Sequence, residues 1–185
     1  CFLPNTGSFP IPWPDTSKMT ASDGTKDVKL LLIMSKPKIV LFENFISSAD
    51  ADELVEQARP KMTRSTGLNA ETGLGELTEA RTSKGAFFDF GQTPLIASIE
   101  QRIATLVNWP VENGEGMQVL SYVAGQEYIP HHDWFDPSFA GNQRVIERGG
   151  NRVGTFLIYL KTPEEGGDTT FNDVGLSVRP QKGNA

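Results

Sequence analysis

The sequence contains only two histidines, and they are adjacent, in Ile129-Pro130-His131-His132-Asp133-Trp134-Phe135-Asp136-Pro137. In an extended chain alternate side chains share a face, so His131 and Asp133 point together and His132 points away. The pair presents one imidazole nitrogen and one carboxylate oxygen. These are two of the three donors with which two histidines and a carboxylate hold Fe(II) while leaving coordination positions open. The same spacing also suits a hydrogen-bonded pair or a solvated turn, and taken alone it does not separate these readings. His132 does not supply the third donor, because on a regular strand it faces away from Asp133.

The elements around this segment can be read from turn chemistry and periodicity. Gln118 to Tyr128 reads as a strand, a glycine turn at Gly125 and a return into the histidine segment. After it, Gly149-Gly150-Asn151-Arg152 leads into an apolar-rich strand over Val153–Leu160. Glu164 to Phe171 reads as a turn into another strand, and Leu176 to Pro180 as a third. Upstream, Ser47-Ser48-Ala49-Asp50 opens a helix with Leu54, Val55 and Ala58 on its inner face and Pro60 at its end. Thr93 and Pro94 are the N-cap and first position of a second helix, whose apolar stripe runs through Ile96, Ile99, Ile103, Leu106 and Val107. Short strands with glycine and proline turns, preceded by two helices, predict a mainly β domain: a jelly-roll-like pair of sheets with helices packed outside.

Two apolar runs, Leu30–Met34 and Lys38–Phe42, read as strands on either side of Ser35-Lys36-Pro37. Residues 1 to about 27 carry Pro4, Pro10, Pro12 and Pro14 with no sustained period, and read as an extended arm or linker packed through Phe9 and Trp13. The expected division is an N-terminal extension over residues 1–35 and the main folded domain over residues 36–185. Between the helices, Thr66 to Thr78 is a long polar stretch that suits either an exposed hairpin or a lid over a site.

Composition narrows the function. With 17 Lys and Arg against 23 Asp and Glu the net charge is -6, which disfavours a broad nucleic-acid footprint. No apolar run approaches the roughly 18 residues that a membrane helix needs. Cys1 is the only cysteine, so no internal disulfide forms. With no signal peptide visible, a soluble and cytoplasmic protein is the expectation. Because the first residue is Cys rather than Met, and the chain stops where another strand is due, the sequence is expected to be part of a longer one.

Six segments in order carry a family resemblance. They are Arg81-Thr82-Ser83-x-Gly85; Gln118-Val119-Leu120-x-Tyr122; Gly125-Gln126-x-Tyr128-x-Pro130-His131-x-Asp133; Arg152 before Thr155-x-Leu157-x-Tyr159-Leu160; Glu164-Glu165-Gly166-Gly167-x-Thr169-x-Phe171; and Leu176-Ser177-Val178-x-Pro180-x-Lys182-Gly183-x-Ala185. Together they resemble the collagen-type, plant and algal prolyl 4-hydroxylases, which are Fe(II)/2-oxoglutarate dioxygenases with a double-stranded β-helix core. The resemblance implies that His131 and Asp133 bind Fe(II), and that Tyr122 and Thr169 line the 2-oxoglutarate pocket. Arg81, Ser83, Glu115, Tyr128 and Arg152 match positions implicated in holding the peptide, although loop-borne polar groups also serve as plain surface. The retained carboxylate of Asp133 favours hydroxylation over the halogenase branch, where a small residue takes its place. A second iron-binding histidine and a lysine for the distal carboxylate of 2-oxoglutarate are expected beyond Lys182-Gly183-Asn184-Ala185. Lys161, Arg179 and Lys182 are the alternative anchors, none at a matching position.

The activity so implied is hydroxylation of a prolyl residue in an extended peptide. O2 is the co-substrate, 2-oxoglutarate is converted to succinate and CO2, and ascorbate is the accessory reductant. Two rivals remain at this point. One is an oxygenase of the same family acting on free proline, another side chain or a specific protein loop; the other is a non-catalytic peptide- or metal-binding jelly roll.

Overall fold

The structure is a computed structural model, and it describes residues 1–4, 12–147 and 149–185. Phe9, expected to pack the N-terminal arm, lies outside these residues. Among those described, the chain begins with a three-stranded antiparallel sheet: β1 (Thr20–Ser22), β2 (Asp27–Ser35) and β3 (Lys38–Glu43) in that order. Strand β2 buries Val28 and Leu30 and leaves the residues between them in water, the period-two pattern of a half-buried strand. The boundary expected between residues 35 and 36 falls in the turn of the β2–β3 hairpin, and Val28 and Leu30 belong to the main core. Trp13, further back, bonds through its N–H to the Val107 carbonyl and lies under the Lys38 ammonium.

Helix α1 (Ser48–Ala58) starts at a complete capping box: the Ser47 hydroxyl accepts from the Asp50 N–H, and the Asp50 carboxylate accepts from the Ser47 N–H. Its buried face is Ala51, Leu54 and Ala58. A short 3-10 turn (Arg59–Lys61) leads to β4 (Thr63–Arg64), then to a small hairpin of β5 (Gly67–Leu68) and β6 (Gly75–Glu76). The polar stretch from Thr66 to Thr78 therefore holds a hairpin. Strand β7 (Lys84–Phe87) follows, and then α2 (Pro94–Leu106), capped by the Thr93 hydroxyl accepting from the Ile96 N–H. Strand β8 (Gln118–Ser121) completes the antiparallel sheet β4-β7-β8. Helix α1, helix α2 and this sheet close on one core with Phe45, Ile46, Ile96 and Ile99 fully buried.

Two segments expected as strands are not paired as strands, and one helix was not anticipated. The histidine segment, residues 129–137, forms no strand; the Ile129 N–H donates to the Ala80 carbonyl, and Tyr128, just before the segment, makes an isolated bridge with Arg81. A short helix, α3 (Ala140–Ile146), lies in a stretch with no apolar stripe and no capping side chain. Tertiary bonds hold it: Asn142 donates to the Asp136 carbonyl, and Arg144 donates to Thr72 on the β5–β6 hairpin. The backbones of Gly141 and Gly73 meet so closely that a Cβ on Gly141 would lie 2.2 Å from the Gly73 nitrogen. Finally, Val153–Leu160 is extended but joins no ladder among the described residues. Its backbone groups find partners two at a time, with Phe2 at Val153 and Gly154, and with Gly183 and Asn184 at Tyr159. The alternation survives: Phe156, Ile158 and Leu160 pack against the core, while Thr155 and Leu157 are exposed on the other face. Strands β9 (Thr169–Phe171) and β10 (Leu176–Val178) form the last antiparallel pair, as their turn residues predict. No helix among the described residues is long and apolar enough to cross a membrane.

One buried ion pair ties the N-terminal sheet to α2. Asp23, in the β1–β2 turn, is fully buried and accepts from Arg102 Nε at 2.9 Å and Nη2 at 2.7 Å. The same guanidinium donates to the Phe45 carbonyl and stacks over the Phe45 ring. Burial pushes the Asp23 carboxyl up, but bonds from the Thr25 hydroxyl, the Lys26 N–H and Arg102 outweigh it and hold the group down at about 2. The unfolded chain therefore takes up a proton near pH 3.8 that the folded chain refuses until about pH 2. Stability from this group is complete above about pH 4 and is lost as the pH falls towards 2, by roughly 2 kcal/mol in all. Urea titrations at several pH values should show the stability gap between wild type and Asp23→Asn shrinking by about that amount across this window. A gap independent of pH would mean that Asp23 is not held ionised by the fold.

Candidate active site

The site is assembled on the outward face of residues 153–160. Although its segment is not a strand, His131 still turns towards Asp133, with Nε2 3.5 Å from Oδ1. The other ring nitrogen, Nδ1, lies 2.7 Å from the Ile129 carbonyl and donates to it, so the lone pair of the neutral ring is on Nε2. His132 turns the other way and meets the Trp134 ring at 5.8 Å. The imidazole of His131 is stacked on Tyr128 with ring centroids 3.6 Å apart, and the Arg81 guanidinium covers the far side of Tyr128 at 4.8 Å. Arg81 is itself held by Gln118 Oε1 and the Thr66 carbonyl. Arg81 thus supports the histidine ring through the aromatic ring of Tyr128.

Two side chains that the sequence reading gave no role hold the carboxylate and the threonine. The Thr155 hydroxyl donates to Asp133 Oδ2 at 2.5 Å, and also lies 3.4 Å from Cys1 Sγ. The Tyr159 hydroxyl donates to Thr169 Oγ1 at 2.8 Å. Burial raises the Tyr159 phenol above its ordinary value, so it remains a donor. The signal for both was the Thr155-x-Leu157-x-Tyr159 spacing, which puts them on one face.

The remaining expected residues are placed as follows. Arg152 grips Glu115 with two parallel bonds of 2.7 and 2.8 Å, donates from Nη1 to the Asp133 carbonyl, and lies over the Phe135 ring. Burial pulls its guanidinium down, but the bonds and charge of Glu115 hold it above the ordinary arginine value. Asn151 secures the same loop by bonding both to the N–H and to the carbonyl of Phe135. Tyr122 follows β8 and is exposed. Ser83 is wholly buried, its hydroxyl donating to Ser65 Oγ, so it fixes the β4–β7 junction rather than facing a ligand. Of the alternative anchors, Lys182 is paired with Asp52 beside α1, and Arg179 donates to the Glu164 carbonyl.

The donor set fits a divalent metal as far as it goes. Two ligands bound at about 2.1 Å and at a right angle stand about 3 Å apart, close to the separation of His131 Nε2 and Asp133 Oδ1. Both side chains are more than a third exposed, so the approach is open. Among the described residues no third His, Cys, Asp or Glu joins them.

Residues 117–185 match the family model of the 2OG-Fe(II) oxygenase superfamily. Curated relatives include probable prolyl 4-hydroxylase 3 of Arabidopsis thaliana, 37% identical over 81% of this chain and 57% of that protein. Probable prolyl 4-hydroxylase 8 of the same plant is 36% identical over 88% of this chain and 61% of its own length. The chain belongs to the prolyl 4-hydroxylase family of 2OG-Fe(II) oxygenases. It spans about three fifths of the length of these relatives. The viral collagen prolyl hydroxylase vCPH of Paramecium Bursaria Chlorella virus-1, solved as its 2OG complex, superposes with a TM-score of 0.53 at 25% identity, covering 78% of this chain and 73% of that one. That likeness bears out the mainly β, jelly-roll core with flanking helices.

The Arg152–Glu115 fork is half-buried, so cutting it leaves a charge in poor solvent. Glu115→Gln should lower stability at neutral pH by about 1–3 kcal/mol, and Arg152→Lys should not restore the fork because it lacks the planar donor pair. In a double-mutant cycle with Arg152→Met, urea denaturation should give a coupling of at least about 1 kcal/mol. Strict additivity would show that the pair contributes nothing.

Proposed function

We propose that the protein carrying this chain is an Fe(II)/2-oxoglutarate-dependent dioxygenase that hydroxylates a prolyl residue of a peptide or protein to 4-hydroxyproline, with release of succinate and CO2. The observation that carries the reading is the free Nε2 lone pair of His131 beside Asp133 Oδ1. It is supported by membership of a family whose relatives are prolyl 4-hydroxylases and by the likeness to a collagen prolyl hydroxylase bound to 2OG. In this reading His131 and Asp133 are two of the iron ligands, and Tyr122 and Thr169 bind 2-oxoglutarate. Iron, with 2-oxoglutarate and O2, supplies the oxidising power; ascorbate keeps the metal ferrous.

The protein's share is orientation and shielding. The carbonyl of Ile129 holds the His131 tautomer that leaves Nε2 basic, the usual supporting arrangement for a metal-bound imidazole. Tyr159 holds the Thr169 hydroxyl by donating to it, which leaves the threonine proton free to donate to a carboxylate. Arg81 and Tyr128 border the site from the side of the β5–β6 hairpin, where an extended proline-rich peptide of low ordering cost would lie. Glu115 and Arg152 serve that groove indirectly, by fixing the Asp133 main chain, and Ser83 does so by fixing β7.

The test is succinate formation from 2-oxoglutarate by the full-length gene product with Fe(II) and ascorbate, with and without a proline-rich peptide. Peptide should stimulate turnover, mass spectrometry should find the added oxygen on proline, and His131→Ala and Asp133→Ala should each fall to background. Oxygen on another residue would overturn the prolyl assignment. A folded, metal-loaded protein that makes no succinate under any of these conditions would overturn the enzyme.

A further inference from the structure

We propose that Thr155 is a positioning residue for the Asp133 carboxylate: its hydroxyl fixes Oδ2, so that Oδ1 alone is presented beside His131 to a divalent metal. This rests on the metal-site reading above and deepens it.

Asp133 has little else to define its side chain. It sits in an irregular segment with no ladder of its own, and its carboxylate is 41% exposed. The main chain is secured by Arg152 Nη1 on the Asp133 carbonyl, but that bond leaves the side-chain torsions free. The bond from Thr155 removes that freedom. At 2.5 Å it is a short, charge-assisted O–H to carboxylate contact, the stronger class of hydrogen bond. Its donor comes from 22 residues away on a segment whose next residue, Phe156, stacks on Phe42 and meets Phe45 edge-on in the core. The hydroxyl is therefore tied to the rigid part of the molecule, while the group it holds is not.

The chemical consequence concerns denticity. A free carboxylate can turn both oxygens to a metal and occupy two positions. With Oδ2 engaged by Thr155, only Oδ1 faces the metal side, 3.5 Å from His131 Nε2, and the position saved stays open for co-substrates. A side chain of the same shape without a donor does not do this. Valine at 155 would keep the branched packing and lose the bond; serine would keep the bond and lose a methyl group.

The experiment uses the full-length protein, Mn(II) alone as the probe, and loss of the free-ion EPR signal as the readout, in wild type, Thr155→Val, Thr155→Ser and Asp133→Ala. Metal-free melting temperatures are measured in parallel. The expected result is that Thr155→Val weakens Mn(II) about tenfold, Thr155→Ser stays within about twofold of wild type, and the metal-free melting temperatures agree. Equal affinity in Thr155→Val and wild type, with binding lost in Asp133→Ala, would overturn the role of Thr155 and leave the metal site standing. Equal weakening in the valine and serine variants, together with a lowered melting temperature, would overturn it in favour of plain packing. No Mn(II) binding by folded wild type would overturn both the metal site and the role of Thr155.

Discussion

Because an extended chain sends successive side chains to opposite faces, the segment from Val153 to Leu160 must satisfy two environments at once. Its even positions, Phe156, Ile158 and Leu160, pack against the main core, with the Phe156 ring against Phe42 and Phe45. Its odd positions carry Thr155 and Tyr159, which hold Asp133 and Thr169. A shift of one residue in this segment would expose the core residues and withdraw both hydroxyls together. The site therefore inherits its precision from hydrophobic packing one residue away. That arrangement explains how side chains on irregular backbone can be held at all: the packed segment supplies the hydroxyl donors that orient Asp133 and Thr169.

The same division of labour appears at the other end of the core. The β1–β2 turn is polar, short and near the surface in sequence terms, yet Asp23 in it is fully buried. Its charge is balanced by Arg102 on α2, and the remaining lone pairs are met by Thr25 and Lys26. A buried pair of this kind is worth little as net stability beside an apolar replacement, because both groups are desolvated. What it supplies is registry. An alternative docking of the N-terminal sheet would leave an uncompensated carboxylate and guanidinium inside the molecule, and either is far more costly than a lost contact.

Local chemistry makes part of this legible in the sequence. Ser47 and Asp50 box the start of α1, and Thr93 with Pro94 starts α2, because the helix N-terminus has orphan N–H groups that only such residues satisfy nearby. The H-x-D spacing placed His131 beside Asp133 and His132 away from it, and the structure keeps that relation even though the segment is no strand. What could not be read is what depends on distant partners. Ser83 and Arg152 were expected by resemblance at positions that hold a peptide, whereas Ser83 bonds to Ser65 in the interior and Arg152 is held by Glu115 and lies over Phe135. Strand β1 has three residues and no period of its own, and α3 is held by bonds to Asp136 and Thr72 rather than by an apolar face. The segment 153–160, expected as a strand, keeps the alternation of one but joins no ladder among the described residues. Side-chain period is a local property of sequence, whereas the partners of backbone N–H and C=O groups are not.

These distant contacts also connect the parts of the site to one another. The β5–β6 hairpin meets α3 through the backbones of Gly73 and Gly141, an approach that no side chain at 141 would permit. From the hairpin side, Arg81 and Tyr128 cover one face of the His131 ring. From the α3 side, the loop carrying Phe135 and Asn151 leads back through Arg152 to the Asp133 carbonyl. Each potential ligand is thus reached by a separate path, and the two paths meet at the hairpin–helix contact.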